Sequence, residues 1–325
     1  MYQLKIDKDT DKLALQHFNT VKDRLLKDIN HFLAGKTRKL NKKELSINGD
    51  NNIKRLLTYL ANEDNLKKVI VSHPDKLRKF ISTLPCDAFD SSMMMNRILY
   101  HIFICFGYDD KVFEINTFYK QIHIETCPYC NTVNIHYAPA TINASSEKGE
   151  LDHFYPKDIY PILGLSFYNL IPSCSICNNT QHKASNDVTR TRQDYSLRSM
   201  HIINPYEYCD VNYFFSFNLR SHWESANSND IDILTDGDKQ AGYNSLLKLK
   251  SRYNTEYNRN IALSIIRKVN RKPASYFDYL KRLPIPQSLL VEELDEWGFY
   301  LRRNEVFKAP FNKFKLDIFE KAHNI

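Results

Sequence analysis

Four of the seven cysteines fall in two pairs of the same spacing, Cys127-Pro-Tyr-Cys130 and Cys174-Ser-Ile-Cys177. A CxxC turn aims two thiolates at one point, and two such turns complete the tetrahedron of a closed, structural Zn²⁺ site. The 43 residues separating the pairs exceed the roughly 15 to 20 of a simple zinc ribbon, so the loop mounts something of substance. A redox role for either pair needs a thioredoxin-like βαβ setting, which the sequence does not offer. Cys86, Cys105 and Cys209 have no partner spacing and read as small packed residues.

Inside that loop lies Glu150-Leu-Asp152-His153-Phe-Tyr155-Pro-Lys157, followed by Phe167-Tyr-Asn169-Leu170. The second knuckle then runs on as Cys177-Asn178-Asn179-Thr-Gln-His182-Lys183. Asp-His, then Asn-Leu, then Cys-x-x-Cys-Asn with a histidine four residues later, all nested between two CxxC pairs, resembles the HNH endonuclease family in its zinc-knuckle form. The resemblance implies a ββα-metal core and covers roughly residues 123 to 190, about a fifth of the chain.

The chemistry follows from the residue types. Breaking a phosphodiester takes a water activated by a base and a cation that neutralises the departing 3′ oxygen. His153, with an ordinary pKa near neutrality and no competing ligand role, is the candidate general base. Successive side chains alternate on a strand, so Asp152 can face the metal while His153 faces the attacking water. Asn178 and His182 stand four apart, which puts both on one face of a helix expected after the second knuckle, where they join Asp152 around one cation. That donor set suits Mg²⁺ or Mn²⁺, with Ni²⁺ or Zn²⁺ also open; without His182, Asp152 and Asn178 remain with waters, which Mg²⁺ tolerates. Tyr155, Lys157 and Lys183 are near enough in sequence to contact the scissile phosphate, the alternative being packing or solvation. The resemblance further implies that Asn169 pins the loop carrying the base without touching metal, and that the cut leaves a 5′ phosphate and a 3′ hydroxyl. The third motif position is Asn178 where the family's name calls for histidine, which puts more weight on His182. His136 and His201 fall outside the matched positions and read as structural.

The elements that must position these groups are mainly helical. Apolar periodicity predicts an amphipathic helix over 11–34, with Leu15, Phe18, Val21, Leu25, Ile29, Phe32 and Leu33 on its stripe and Gly35 at its end. Further helices are expected over 51–61, 64–71, 74–83 and 91–106, the Met93-Met94-Met95 cluster being core filler. Short β-type runs occur at 132–137 and 212–217, and a long helix at 239–270 buries Leu246, Leu249, Tyr253, Tyr257, Ile261 and Ile265. Helices around 286–302 and 311–322 complete the chain. The expected class is α+β, mainly helical. A helical N-terminal region (1–122) and a mainly helical C-terminal region (196–325) flank a nuclease module (123–195) of ββα-metal type with its four-cysteine zinc site.

Composition bounds the function. Glycine is scarce, 8 of 325 residues, and the nearest approach to a P-loop, Gly237 to Gly242, continues as Tyr243-Asn244 instead of Lys-Ser/Thr. No run approaches the roughly 18 apolar residues of a membrane helix, and no secretory leader is evident, so the expected compartment is the cytoplasm and no membrane partner is expected. The net charge of +7 fits a nucleic-acid partner without demanding one. Residues 126–195 hold 5 basic and 6 acidic side chains against 21 and 16 in 1–125, so any electrostatic grip must come from the flanks. The densest basic run is Lys36, Arg38, Lys39, Lys42 and Lys43, either a solvated loop or a set of phosphate contacts.

The expected activity is metal-dependent endonucleolytic cleavage of nucleic acid, with DNA the expected substrate and RNA left open. A small HNH module between helical flanks, with Asn204-Pro-Tyr206 and Lys308-Ala-Pro-Phe-Asn-Lys313, also resembles the nuclease subunits of Septu-type anti-phage systems, which implies an ATPase partner. A restriction-like nuclease working alone is one alternative; another is a zinc-stabilised binding module for nucleic acid or protein that no longer cleaves. Duplex cleavage by a single-strand cutter would call for two copies, hence a homo-oligomer, or two events.

Overall fold

The computed structural model describes residues 1–47, 49–108, 122, 124–135, 149–179, 181–183, 187–188, 201–271, 276, 279, 282 and 303–323. It shows a mixed α/β chain, about half helical, with three small two-stranded sheets among the described residues. Helix α1 (Lys8–Leu33) opens on a reciprocal cap: Asp7 Oδ1 accepts from Thr10 N at 3.0 Å, and Thr10 Oγ1 accepts from Asp7 N at 2.7 Å. Gly35 leaves the helix at φ +74°, a conformation suited to glycine. The stripe buries Phe18, Val21, Leu25, Ile29 and Phe32 as the period demands, but Leu15 is 39% exposed and does not belong to it. Against α1 pack α2 (Asn51–Ala61) and α3 (Glu63–Val71), with α4 (Pro74–Ile81) following.

Between α1 and α2 the basic run forms a hairpin, β1 (Arg38–Leu40) and β2 (Lys43–Leu45), closed by Asn41 and Lys42. Both turn residues have positive φ, 49° and 65°, as a two-residue type I′ loop requires. The helix expected over 91–106 is instead α5 (Met94–Tyr100) continued by a wider π-helical segment, His101–Tyr108. That segment lies on α1 and presents Tyr108 to the central module.

The central module holds β3 (Glu150–His153) paired antiparallel with β4 (Leu170–Ser173), Asp152 opposite Ile171 and His153 opposite Leu170. The intervening loop is fastened to the N-terminal helices: His17 Nε2 donates to Leu165 O at 2.8 Å and Ser166 Oγ donates to Val69 O at 2.6 Å. The strand expected over 132–137 is reduced to an isolated bridge between Thr126 and Asn134, and residues 136–140 lie outside the described set.

The C-terminal region contains β5 (Phe214–Leu219), shifted two residues on from the 212–217 run, and a partner the sequence did not announce, β6 (Ile231–Asp236). The helix expected over 239–270 is three: α6 (Gln240–Leu247), α7 (Leu249–Tyr253) and α8 (Glu256–Asn270). Lys248, at φ 54°, breaks the first junction, and Thr255, capping Asn258 N, starts the last helix anew. Tyr257 is consequently 69% exposed instead of buried. Gly242 is a packing glycine, since a Cβ there would lie 1.8 Å from His201 O. The helix expected around 286–302 lies outside the described residues, and α9 (Asn312–His323) matches the last one. No helix among the described residues is long and apolar enough to cross a membrane.

Candidate active site and metal centre

The two CxxC turns meet. Cys127, Cys130, Cys174 and Cys177 are buried, and their four Sγ atoms lie within 4.8 Å of one another. Cys130 Sγ and Cys174 Sγ are 3.9 Å apart, against an edge of about 3.8 Å for a tetrahedron with Zn–S bonds near 2.3 Å. Four buried, converging sulfurs therefore fit a metal such as zinc. Backbone geometry sets the first turn: Asn131 N donates to Cys127 O at 2.7 Å, with Asn131 itself at φ 52°.

Outer partners of the cluster come from distant sequence. Arg252 of α7 donates through Nη1 to Cys177 Sγ at 3.5 Å and through Nη2 to Thr132 Oγ1 at 2.9 Å, while Thr132 Oγ1 donates to Cys130 Sγ at 3.1 Å. Four thiolates around a divalent ion leave a net charge of −2, which the guanidinium partly offsets. Nothing in the sequence marks Arg252, because the contact spans 75 residues.

His153 ends β3, buried, with Nε2 donating to Gly164 O at 3.0 Å. That bond fixes the tautomer and leaves the lone pair on Nδ1. Burial, and after it the Lys157 charge, pushes the imidazole pKa down to about 3, so the ring is neutral, as a base must be, and does not sit near neutrality as its free value suggests. The Tyr108 ring meets it edge-on, centroids 4.8 Å apart, and Lys157 Nζ stands 5.6 Å over the Tyr108 ring. Tyr108 is a site neighbour that sequence reasoning missed, because its placement depends on the π-helical end of the N-terminal region.

Asn169 is fully buried and clamps the chain just after His153. Its Oδ1 accepts from Tyr155 N at 2.7 Å, and its Nδ2 donates to Tyr155 O at 3.2 Å and Leu163 O at 3.0 Å. Tyr155 itself is buried, which raises its phenol pKa, and the nearby Arg78 guanidinium, ion-paired with Glu207, acts against that rise.

The expected catalytic-metal donors each have a partner of their own. Asp152, buried beside His153, takes Tyr129 Oη–H at 2.5 Å on Oδ2, while Lys183 Nζ lies 3.3 Å from Oδ1 and 3.2 Å from Oδ2. Lys183 is fully buried and also donates to His153 O at 2.8 Å, so the structure places it under the Asp-His pair rather than on a solvent-facing phosphate path. Asn178 Nδ2 donates to Glu150 Oε2 at 2.9 Å. His182 Nδ1 lies 2.9 Å from Asn179 Oδ1, and its pKa is lowered by burial and then by the charges of Arg252 and Lys248. The helix expected after Cys177 is absent among the described residues: 175–179 form turns, and Lys183 N bonds back to Cys177 O at 3.1 Å, which folds the segment over the knuckle. Asn178 and His182 therefore do not share a helix face. Glu150, missed as a donor, lies two residues from Asp152 on the same face of β3, a relation that strand alternation alone could have supplied.

A stretch of 42 residues is 43% identical to Septu protein PtuB of Bacillus thuringiensis, covering 13% of this chain and 16% of that protein. The match thus spans about a sixth of the length of that curated relative. No family model matches the chain, and no solved structure matches it.

Proposed function

We propose that this chain is a metal-dependent endonuclease of the HNH type that works in anti-phage defence with a partner protein. The observation that carries the reading is the constellation on β3 and β4: a buried neutral histidine with Nε2 tied to a carbonyl, the loop after it held by Asn169, and both mounted between two convergent CxxC turns. Partial similarity to Septu protein PtuB supports the link to defence, and an ATPase partner and a DNA substrate are part of the proposal.

In this reading His153 takes a proton from the attacking water at Nδ1, while the Nε2 bond to Gly164 holds the ring. A Mg²⁺ or Mn²⁺ ion supplies the positive charge that neutralises the leaving oxygen. Asp152, Asn178 and His182 are its proposed donors, with Glu150 beside Asn178. Asp152 offers the ion only the lone pairs that Lys183 and Tyr129 leave, whereas Glu150 is an exposed oxygen donor of the kind such ions prefer. Lys157, half-buried near His153, is the proposed contact to a phosphate oxygen.

The Asp152–Lys183–Tyr129 group also favours a second reading. A carboxylate already neutralised by a buried ammonium needs no metal, as in a zinc-stabilised binding module that has lost cleavage. Plasmid nicking separates the two. Conversion of supercoiled to open-circle DNA should require Mg²⁺ or Mn²⁺, stop in EDTA, and fall at least a hundredfold in His153→Ala. The assay is run with and without a co-encoded ATPase, and no metal-dependent nicking of any kind, with zinc bound and the fold intact, would leave the binding module standing.

A further inference from the structure

The basic run at 36–43 is neither a loop nor remote from the site. Lys36, Lys39, Lys42 and Lys43 are exposed on and around the β1–β2 hairpin, and none is ion-paired among the described residues. Pairing fixes their directions. Lys43 lies opposite Leu40 on one face of the ribbon, and Lys39 lies opposite Glu44 on the other, with Lys42 at the tip.

The hairpin is set against the catalytic module. Leu40, Asn41 and Lys43 form one wall of a cleft of about 370 Å³ whose other walls include Arg97 and Asp158. Asp158 directly follows Lys157, and Asn96 Nδ2 donates to Asp158 O at 3.4 Å and Ile159 O at 3.5 Å, so α5 ties that loop beside the ribbon. From Lys157 the path continues to the Tyr108 ring at 5.6 Å and from there to the His153 ring at 4.8 Å. Cations thus run from the hairpin tip across Arg97 to Lys157, with Glu44, Asp90 and Asp158 as the acids among them.

We infer that the β1–β2 hairpin is a backbone-binding arm, holding the phosphates of the nucleic acid whose strand lies at His153. The inference rests on the reading of His153 as the active-site base. A two-stranded ribbon with solvent-directed lysines suits the phosphate backbone, and lysine ammonium groups contact phosphates without reading sequence. It also supplies the basic flank that a central segment with 5 basic and 6 acidic residues lacks.

The test measures binding without cleavage. Fluorescence anisotropy of a labelled duplex is followed on the zinc-loaded protein without added Mg²⁺ or Mn²⁺, on the His153→Ala background, across about 50 to 200 mM salt, with and without Lys39→Gln, Lys42→Gln and Lys43→Gln together. Each lost duplex phosphate contact lowers the slope of log K against log salt by about 0.9, so the triple variant should be shallower by about 2 to 3 and bind at least tenfold more weakly at about 0.1 M salt. The three positions are exposed, so thermal unfolding should not move, and a triple Lys→Arg variant should keep the wild-type slope. Unchanged slope and affinity in the Gln variant, or no binding of duplex or single strand by the parent, overturns the arm. A slope change with no metal-dependent nicking by the unmutated chain leaves the arm standing and removes the nuclease; nicking with an unchanged slope does the reverse.

Discussion

At the scale of single residues, Asn169 shows how much one buried amide decides. It makes three hydrogen bonds to backbone groups of Tyr155 and Leu163, and no apolar residue can replace them. Asn169→Ala leaves Tyr155 N and the two carbonyls facing a cavity, at a cost of about 3 kcal/mol. The expected result is a lower urea midpoint together with loss of nicking, because the loop it releases begins immediately after His153, the proposed base. Asn169→Asp keeps the acceptor for Tyr155 N but turns a carboxylate toward two carbonyl oxygens, and should be no better than alanine. A midpoint equal to wild type in Asn169→Ala would sink the clamp. The residue's identity was legible from its Asn-Leu setting, whereas its partners were not, since they depend on how the loop closes.

At the scale of elements, legibility followed the range of the forces involved. Helix α2 was placed to the residue because Ile53, Leu57 and Leu60 keep helical spacing behind an Asp50 cap. The hairpin at 38–45 was not, because its turn uses Asn41-Lys42 at positive φ where a sequence reader looks for glycine. The 239–270 segment carries no proline, and its one glycine, Gly242, lies inside α6, so its breaks at Lys248 and Asn254 are set by docking onto the knuckle and the β5–β6 sheet. Docking of α1 onto the β3–β4 loop carries its own pH signature. His17 on α1 is buried with Nε2 on Leu165 O, and burial lowers its pKa from 6.5 to about 4. Its neutral form is the folded form, so its contribution is complete above the unfolded pKa of 6.5 and is lost as pH falls toward 4, amounting to about 3 kcal/mol. His17→Gln, which retains an N–H donor and does not titrate, should narrow the difference in urea midpoint between pH 7 and pH 4.5. If both proteins lose stability in parallel over that range, His17 is not the group responsible.

At the scale of the whole molecule, the first knuckle is where distant parts of the chain meet. Pro128 O accepts from Tyr2 N at 3.2 Å, and Cys130 O accepts from Tyr253 Oη at 2.6 Å. Asn131 takes Phe311 N on its backbone carbonyl and Lys313 N on Oδ1 at 2.9 Å, and its Nδ2 donates to Val306 O at 3.0 Å. The N-terminal segment, α7 and the start of α9 therefore all hydrogen-bond to a turn of five residues that carries two of the four clustered cysteines. A metal that closes the four sulfurs should organise contacts far from itself, since unpaired thiolates would repel one another and open the turn. Removing the ion with a strong chelator, followed by hydrogen exchange, should raise exchange at 2–4, 249–253 and 312–323 along with the knuckles, and Cys130→Ser should reproduce the pattern without chelator. Helix α3, whose contacts are with α1, α2 and the β3–β4 loop, should keep its protection. Faster exchange confined to 126–134 and 174–178 would show instead that the knuckles are a local staple, and that the C-terminal region keeps its order through its own packing of Phe215, Tyr253 and Phe314.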